Sequence, residues 1–228
     1  MSAKTLVSLS GGMDSATALA AVLQDTPAMD VACVSFYYGS KHNKYEQASA
    51  REFARQYGVV YQVIDISTAM KDFNSNLLLS GGPIPEGHYQ AESMKQTVVP
   101  GRNLIFLSIL AGLAQSHNFG RVVLAVHAGD HAIYPDCRPA FFVNARKTIW
   151  VSSDNQVDLV CPFLHISKAA ILRRGLQMNV SYQHTRTCYK DQDIACGVCG
   201  SCQERLEAFE LNGAVDPLEY ESRTLLPK

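Results

Sequence analysis

Two stretches of this 228-residue chain carry residue types and spacings that chemistry can use. The first is Ser10-Gly11-Gly12-Met13-Asp14-Ser15. Adjacent glycines let a backbone turn with its N–H groups facing outward, and a helix beginning there adds partial positive charge. Phosphate oxygens fit such a cradle. Ser10 and Ser15 can add hydroxyl donors, and Asp14 can hold a magnesium ion that bridges phosphates. The second stretch is Cys188, Cys196, Cys199 and Cys202, four thiols within fifteen residues. Tetrahedral zinc takes four such ligands, and Gly197 and Gly200 supply the backbone freedom to wrap it. An iron–sulfur cluster also takes four thiolates, and a sulfur-transfer cysteine pair would use two. With all four positions filled by protein, no place is left for a reacting water, so a zinc there is structural.

The elements that must position these groups follow from the pattern of apolar residues. Thr5–Ser10 reads as a buried strand ending at the glycine pair, and Ser15–Gln24, rich in Ala and Leu, as the helix behind it. Val31–Tyr38 is a second strand closed by Gly39. Asn43–Tyr57 has helical spacing with Gly58 as its C-terminal cap, and Val59–Ile64 is a third strand. This strand–helix alternation predicts a parallel sheet with right-handed crossovers. Ser67–Pro100 shows no period and is marked by Gly81, Gly82, Pro83, Pro85 and Gly87. A loop of that length predicts an active-site lid. Helix Leu104–His117, strands Arg121–Val126 and Val157–Val160, and helices Lys168–Gln177 and Gln203–Asn212 complete the order.

Bulk properties exclude several classes. The net charge of -1 provides no basic field to gather nucleic acid. The longest apolar run, Leu104–Ala114, is interrupted by Ser108 and Gly112 and is too short to span a bilayer. Met1–Lys4 leads into a strand without a signal-peptide layout, and four of the seven cysteines crowd together. That usage predicts metal binding in a reducing cytoplasm rather than a disulfide framework. Cys33 and Cys161 lie in or beside strands and read as core; Cys137 is open between roles.

The glycine loop lacks the lysine of a Walker A motif and instead resembles the SGGxDS loop of the N-type ATP pyrophosphatases. Loop and cysteines together resemble the 7-cyano-7-deazaguanine synthase (QueC) family. Further matches run along nearly the whole chain: Tyr38-Gly39-Ser40-Lys41-His42, Val99-Pro100-Gly101-Arg102-Asn103, Tyr134-Pro135-Asp136-Cys137-Arg138-Pro139 and Cys196-Gly197-Val198-Cys199-Gly200-Ser201-Cys202. The resemblance implies an α/β fold, a three-layer parallel sheet of the adenine-nucleotide hydrolase-like (PP-loop) type over residues 1–186, with a small zinc-binding segment and helix over 187–228. It implies a cytoplasmic carbon–nitrogen ligase, commonly dimeric, acting in queuosine biosynthesis. Such an enzyme adenylates 7-carboxy-7-deazaguanine with ATP, lets ammonia displace AMP, and dehydrates the amide to the nitrile with a second ATP.

Residue by residue, the resemblance implies ATP binding by Leu9, Ser10, Gly11, Gly12, Met13, Asp14, Ser15, Tyr38 and Gly39, with Mg2+ accompanying the nucleotide. It implies a catalytic set of Asp14, Ser15, Arg102 and Lys168, and zinc on Cys188, Cys196, Cys199 and Cys202. The substrate pocket is expected from Arg102, Asn103, His127, Asp130, Tyr134, Asp136 and Arg138. A guanine-like base offers an N1–H and a 2-amino group to a carboxylate, and Asp136 is the candidate acceptor. The competing reading has Asp136 capping the helix that Pro139 begins. Arg102 or Arg138 would meet the substrate carboxylate or the phosphates. His127 and His131, spaced i, i+4, read as pocket lining or as metal ligands.

The chain also departs from the family pattern. Tyr37 stands where many members have Asp, Val126–Ile133 differs from the commoner Asn/Asp-Tyr-Ser-Gly stretch, and Ser167-Lys168-Ala169-Ala170 lacks an acidic residue and so a capping box. These changes leave the final product open, not the adenylation. Three readings compete: a paralogue that stops at the amide or passes a deazaguanine to a macromolecule such as a protein acceptor, a tRNA-thiolating relative using Cys137, and a regulatory module that has lost catalysis, against which Asp14 and Arg102 speak.

Overall fold

The computed structural model of the protein describes residues 3–227. Among these, five short strands form one sheet in the order β3-β2-β1-β4-β5, every neighbouring pair parallel. They are β1 (Thr5–Ser8), β2 (Val31–Tyr37), β3 (Val60–Asp65), β4 (Arg121–Val123) and β5 (Asp158–Val160). Successive residues of a strand point to opposite faces, and both faces are covered. Leu6 packs on one side with Leu107 and Leu110 of α4 (Arg102–Ser116) and Phe142 and Ile149 of α5 (Pro139–Ser152). Val7 packs on the other with Leu19 of α1 (Met13–Val22), Phe53 of α2 (Asn43–Tyr57) and Ile171 of α6 (Lys168–Gln177). Burial on both sides is why β1 is a continuous apolar run rather than an alternating one. The expected three-layer α/β architecture is the one observed.

Local signals behave as their chemistry predicts. Gly58 takes a left-handed φ of 65° and ends α2. Ser167 caps α6 alone, accepting from the Ala170 N–H at 3.3 Å. The largest gap lies at Ser67–Pro100, which is irregular but not loose. After the single turn α3 (Ser67–Met70), its side chains Met70, Leu77, Leu78, Ile84 and Val99 join the α4/α5 core. Lys41 ties the segment down by donating to the carbonyl oxygens of Asn76 at 3.0 Å, Gly81 at 3.2 Å and Gly82. These anchors fall at no fixed spacing, so no periodicity could announce them.

The C-terminal segment expected from residue 187 packs into the same body. Its helix α7 (Gly200–Leu211) places Ala208 and Phe209 in the α1/α6 core. Arg205, wholly buried, makes a bidentate pair with Asp216 at 2.7 and 2.9 Å and also donates to Tyr182 O. A buried guanidinium with both partners in fork geometry fixes the rotation of α7. That rotation aims Glu204 of the same helix at the carboxyl ends of the strands.

Candidate active site and cysteine centre

At the carboxyl ends of β1, β2 and β4 one cavity opens, bounded by the loop Ser10–Ser15, the N-terminal turns of α2, α4, α6 and α7, and two side chains of the Ser67–Pro100 segment, Tyr89 and Met94. The first wall is the glycine loop. Gly11 adopts a φ of 87°, and a Cβ there would strike the backbone of α2 at Glu46 and Ala50. Only glycine fits. Gly12 stands at the N-cap of α1 without a side-chain cap, and Ser10 Oγ lies 3.1 Å from Ser15 Oγ. The orphan amides of α1 therefore face the cavity together with two hydroxyls, a donor set for an anion.

Beside the loop lies a charged cluster drawn from four separated elements. Lys168 Nζ reaches Glu204 Oε2 at 2.7 Å and Asp14 Oδ2 at 3.3 Å. Burial opposes the ammonium charge, but Asp14, Glu204 and Asp130 outweigh it and hold the Lys168 pKa above its ordinary value. His127 Nε2 lies 3.5 Å from Asp130 and 3.6 Å from Asp14. Burial likewise works against protonated His127, and the carboxylates of Asp130, Glu204 and Asp14 reverse that and raise its pKa. The Gly129 N–H donates to Nδ1 at 3.1 Å, so the ring proton in this arrangement sits on Nε2, toward the carboxylates. Asp14 keeps one buried oxygen, Oδ1, with no hydrogen-bond partner among the described residues. An orphaned carboxylate oxygen next to an anion cradle fits a hard divalent cation.

The second compartment is aromatic. Phe36 and Phe106 stack with centroids 4.1 Å apart, and Tyr38 stands edge-on to Phe106. Asn43 holds the turn that places Tyr38 by accepting from the Tyr38 and Ser40 amides at 3.1 and 3.0 Å. Arg102 lies 6.0 Å from the Tyr38 and Phe106 ring centroids. Tyr134 bonds Thr97 Oγ1 at 2.8 Å, and Glu46 and Tyr189 complete the wall.

The structure separates the sequence candidates. Leu9, Ser10, Gly12, Met13, Asp14, Ser15, Tyr38, Arg102, Asn103, His127, Asp130, Tyr134 and Lys168 line this cavity, whereas Gly11 and Gly39 shape backbone turns behind it. Asp136 and Arg138 do not line it. Asp136 Oδ2 accepts from the Asn103 N–H at 2.9 Å, capping α4, and Arg138 Nε donates to His131 O at 2.9 Å on the surface. Both sequence readings of Asp136 need correction. Its carboxylate lies outside the cavity lining, bonded to an amide, and the helix it caps is the earlier α4, not the one begun by Pro139. Its partner is 33 residues away, beyond the reach of a local pattern. Asp136→Ala should thus lower stability by about 1 kcal/mol, the usual worth of an N-cap, without selectively weakening base binding. Thermal melts and base titrations of the variant check this; lost base binding at unchanged melting temperature would contradict it.

His127 and Asp130 line the cavity where it meets Asp14 and Lys168. His131 does not join His127 as a metal pair; the group that comes together is His127, Asp130 and Glu204, and Lys168 already supplies a positive charge there. Tyr37, the other departure, does not line the cavity. Glu46, Arg186, Tyr189 and Glu204 were not singled out by sequence. Each stands in a helix or loop whose local pattern reads only as surface.

The four cysteines converge. All are buried, and their sulfurs lie within 4.8 Å of one another. The Cys196 and Cys199 amides donate to Cys188 Sγ and Cys196 Sγ at 3.4 Å each, as amides do toward thiolates. Gly197, at φ 77°, passes so close to the Ser222 carbonyl that no Cβ could fit. The set fits a tetrahedral metal without an open position. The knuckle also holds the Ser67–Pro100 segment: the Gly87 N–H donates to Val198 O at 2.9 Å, and Lys190 pairs with Glu86 at 2.7 Å. Cys137, by contrast, lies outside this group, and burial pushes its thiol well up.

Comparison with known proteins agrees with this geometry. The family model described as queuosine biosynthesis protein QueC matches residues 4–213. The 7-cyano-7-deazaguanine synthase of Marinomonas sp. (strain MWYL1) is 46% identical over 223 residues, covering 97% of this chain and 100% of the relative. That of Methanoregula boonei is 44% identical over 219 residues, covering 96% and 99%.

Proposed function

Since the chain belongs to the QueC family of queuosine biosynthesis proteins, we propose that it converts 7-carboxy-7-deazaguanine and ammonia into 7-cyano-7-deazaguanine at the expense of ATP. The observation that supports this most is that the uncapped anion loop and the aromatic compartment with Arg102 share one cavity. In this reading ATP phosphates occupy the Ser10–Ser15 amides and hydroxyls. Asp14 would hold the magnesium ion that comes with the nucleotide and neutralises its phosphates. The substrate carboxylate attacks the α-phosphorus and pyrophosphate leaves into the loop, where Lys168 offsets the growing charge. Ammonia then attacks the acyl carbon and AMP departs. A second ATP activates the amide oxygen, and loss of AMP and a proton yields the nitrile.

Arg102 has no carboxylate within ion-pair distance among the described residues, so its guanidinium can meet an anionic substrate. The Tyr89 and Met94 side chains cover the cavity from the lid and limit water, to which the acyl adenylate would be lost. Zinc on Cys188, Cys196, Cys199 and Cys202 would be structural, and a homodimer in the cytoplasm remains the family expectation. Incubation with 7-carboxy-7-deazaguanine, ammonium and Mg-ATP should release AMP and pyrophosphate and give the nitrile by mass spectrometry. ADP as the nucleotide product would overturn the adenylation. An amide accumulating while ATP remains would limit the enzyme to the first half of the reaction.

A further inference from the structure

Three of the four carboxylates in the cavity, Asp14, Asp130 and Glu204, are engaged with Lys168 or His127. The fourth is Glu46, in the first turn of α2; among the described residues it has no Lys or Arg within ion-pair distance, and its one such contact is with a histidine, His42. The Glu46 side chain is only 20% exposed. The His42 Nε2 contact is 3.5 Å, long for a hydrogen bond. That histidine is no cation, since burial and the neighbouring Arg102 and Arg186 press its pKa down to about 3. The Arg186 guanidinium donates through Nη1 and Nη2 to the carbonyls of Lys190, Gln192 and Asp193 at 2.6 to 2.9 Å, and its Nε has no partner among the described residues. Burial pushes the Glu46 carboxyl up to about 8 in spite of both arginines. Ionising this mostly buried carboxyl away from any lysine costs free energy that a ligand presenting N–H groups to its two oxygens would recover.

We propose that Glu46 is the specificity-determining acceptor for the base, its two oxygens receiving the N1–H and 2-amino hydrogens of a guanine-type ring seated against the Phe36–Phe106 stack. The aromatic wall favours a flat heterocycle, and the carboxylate decides which one. A 2-amino-pyrimidinone edge presents two parallel donors, the complement of a carboxylate. An adenine edge presents one donor beside a ring nitrogen whose lone pair would face the second oxygen. Glu46 therefore admits the deazaguanine to this compartment and turns the adenine of ATP away from it. The assignment rests on the reading of the substrate given above, and it puts on Glu46 the recognition that the Tyr134–Pro139 stretch suggested for Asp136.

Calorimetric titration of the full-length protein with 7-carboxy-7-deazaguanine, its 2-deamino counterpart and α,β-methylene-ATP tests it. The wild type should prefer the 2-amino compound about tenfold or more, because an analogue lacking the donor leaves a buried acceptor unmet. Glu46→Gln should weaken the 2-amino compound by roughly 10- to 100-fold, remove most of that preference, and leave the ATP analogue bound as before, which also reports an intact fold. A wild type that binds both bases equally overturns the proposal without any variant. So does a Gln variant that loses the ATP analogue, which would place adenine at Glu46, or one that binds both bases unchanged. If the wild type binds no deazaguanine at all while ATP analogue binding is normal, the substrate reading itself fails and the Glu46 assignment with it.

Discussion

Asp14→Asn should lower turnover by about 10²- to 10⁴-fold while the protein stays folded. The carboxylate stands where negative charge is greatest during the reaction, between the loop amides and Lys168. Its Oδ1 is buried and unpartnered, so the wild-type protein holds a ligand position ready that an amide fills poorly. Stability should change little, because Lys168 keeps its 2.7 Å pair with Glu204 and one negative charge is removed from a cluster of three carboxylates. AMP release in steady state, a thermal melt, and nucleotide binding titrated with magnesium would be compared. The magnesium dependence of binding should weaken along with the rate. A variant with near-normal turnover would make Asp14 only an ion-pair partner of Lys168.

Replacing one ligand of the cysteine centre should act through the fold. Metal bound by four thiolates in a short loop contributes binding free energy on the order of 10 kcal/mol, and that energy is also folding energy. Cys199→Ser should lose the metal, loosen residues 187–202 to protease, and abolish turnover as well. The coupling is geometric: Cys202 lies in the first turn of α7, two residues before Glu204, and the lid rests on the knuckle through Gly87 and Val198. The protein is expected to carry one zinc per chain by elemental analysis, with chelation reproducing the variant's protease sensitivity. Iron in place of zinc, or a metal-free sample that stays folded and active, would contradict the structural zinc reading.

The two most legible features were those whose chemistry is local. A phosphate loop is one strand end, two glycines and one helix start, so all its donors lie within Ser10–Ser15, and the pattern is the structure. The knuckle is similar: three of its four sulfurs come from Cys196, Cys199 and Cys202, and only Cys188 arrives from a little further away. Parallel β-strands separated by helices were legible for the same reason, since burial on both faces writes itself as short apolar runs. Even helix ends obeyed their signals at Gly58 and Ser167.

What decided the rest was distance along the chain. Lys168, Asp14, His127, Asp130 and Glu204 come from the starts of α1, α6 and α7 and the turn after β4, and nothing in any one segment says that the others will meet it. Asp136 shows the converse: its neighbours in sequence suggested a base or a following helix, while the folded chain gives its carboxylate to the amide of Asn103. The lid anchors and Glu46 follow the same rule, because their partners are set by how α2, α4 and α7 pack around the sheet. The sequence by itself determined the family, the phosphate cradle and the thiol cage, since each needs only contiguous residues. The tertiary structure alone decided which charges are paired, which carboxylate is left for a ligand, and which wall each candidate faces, since pairing is a property of space and not of spacing.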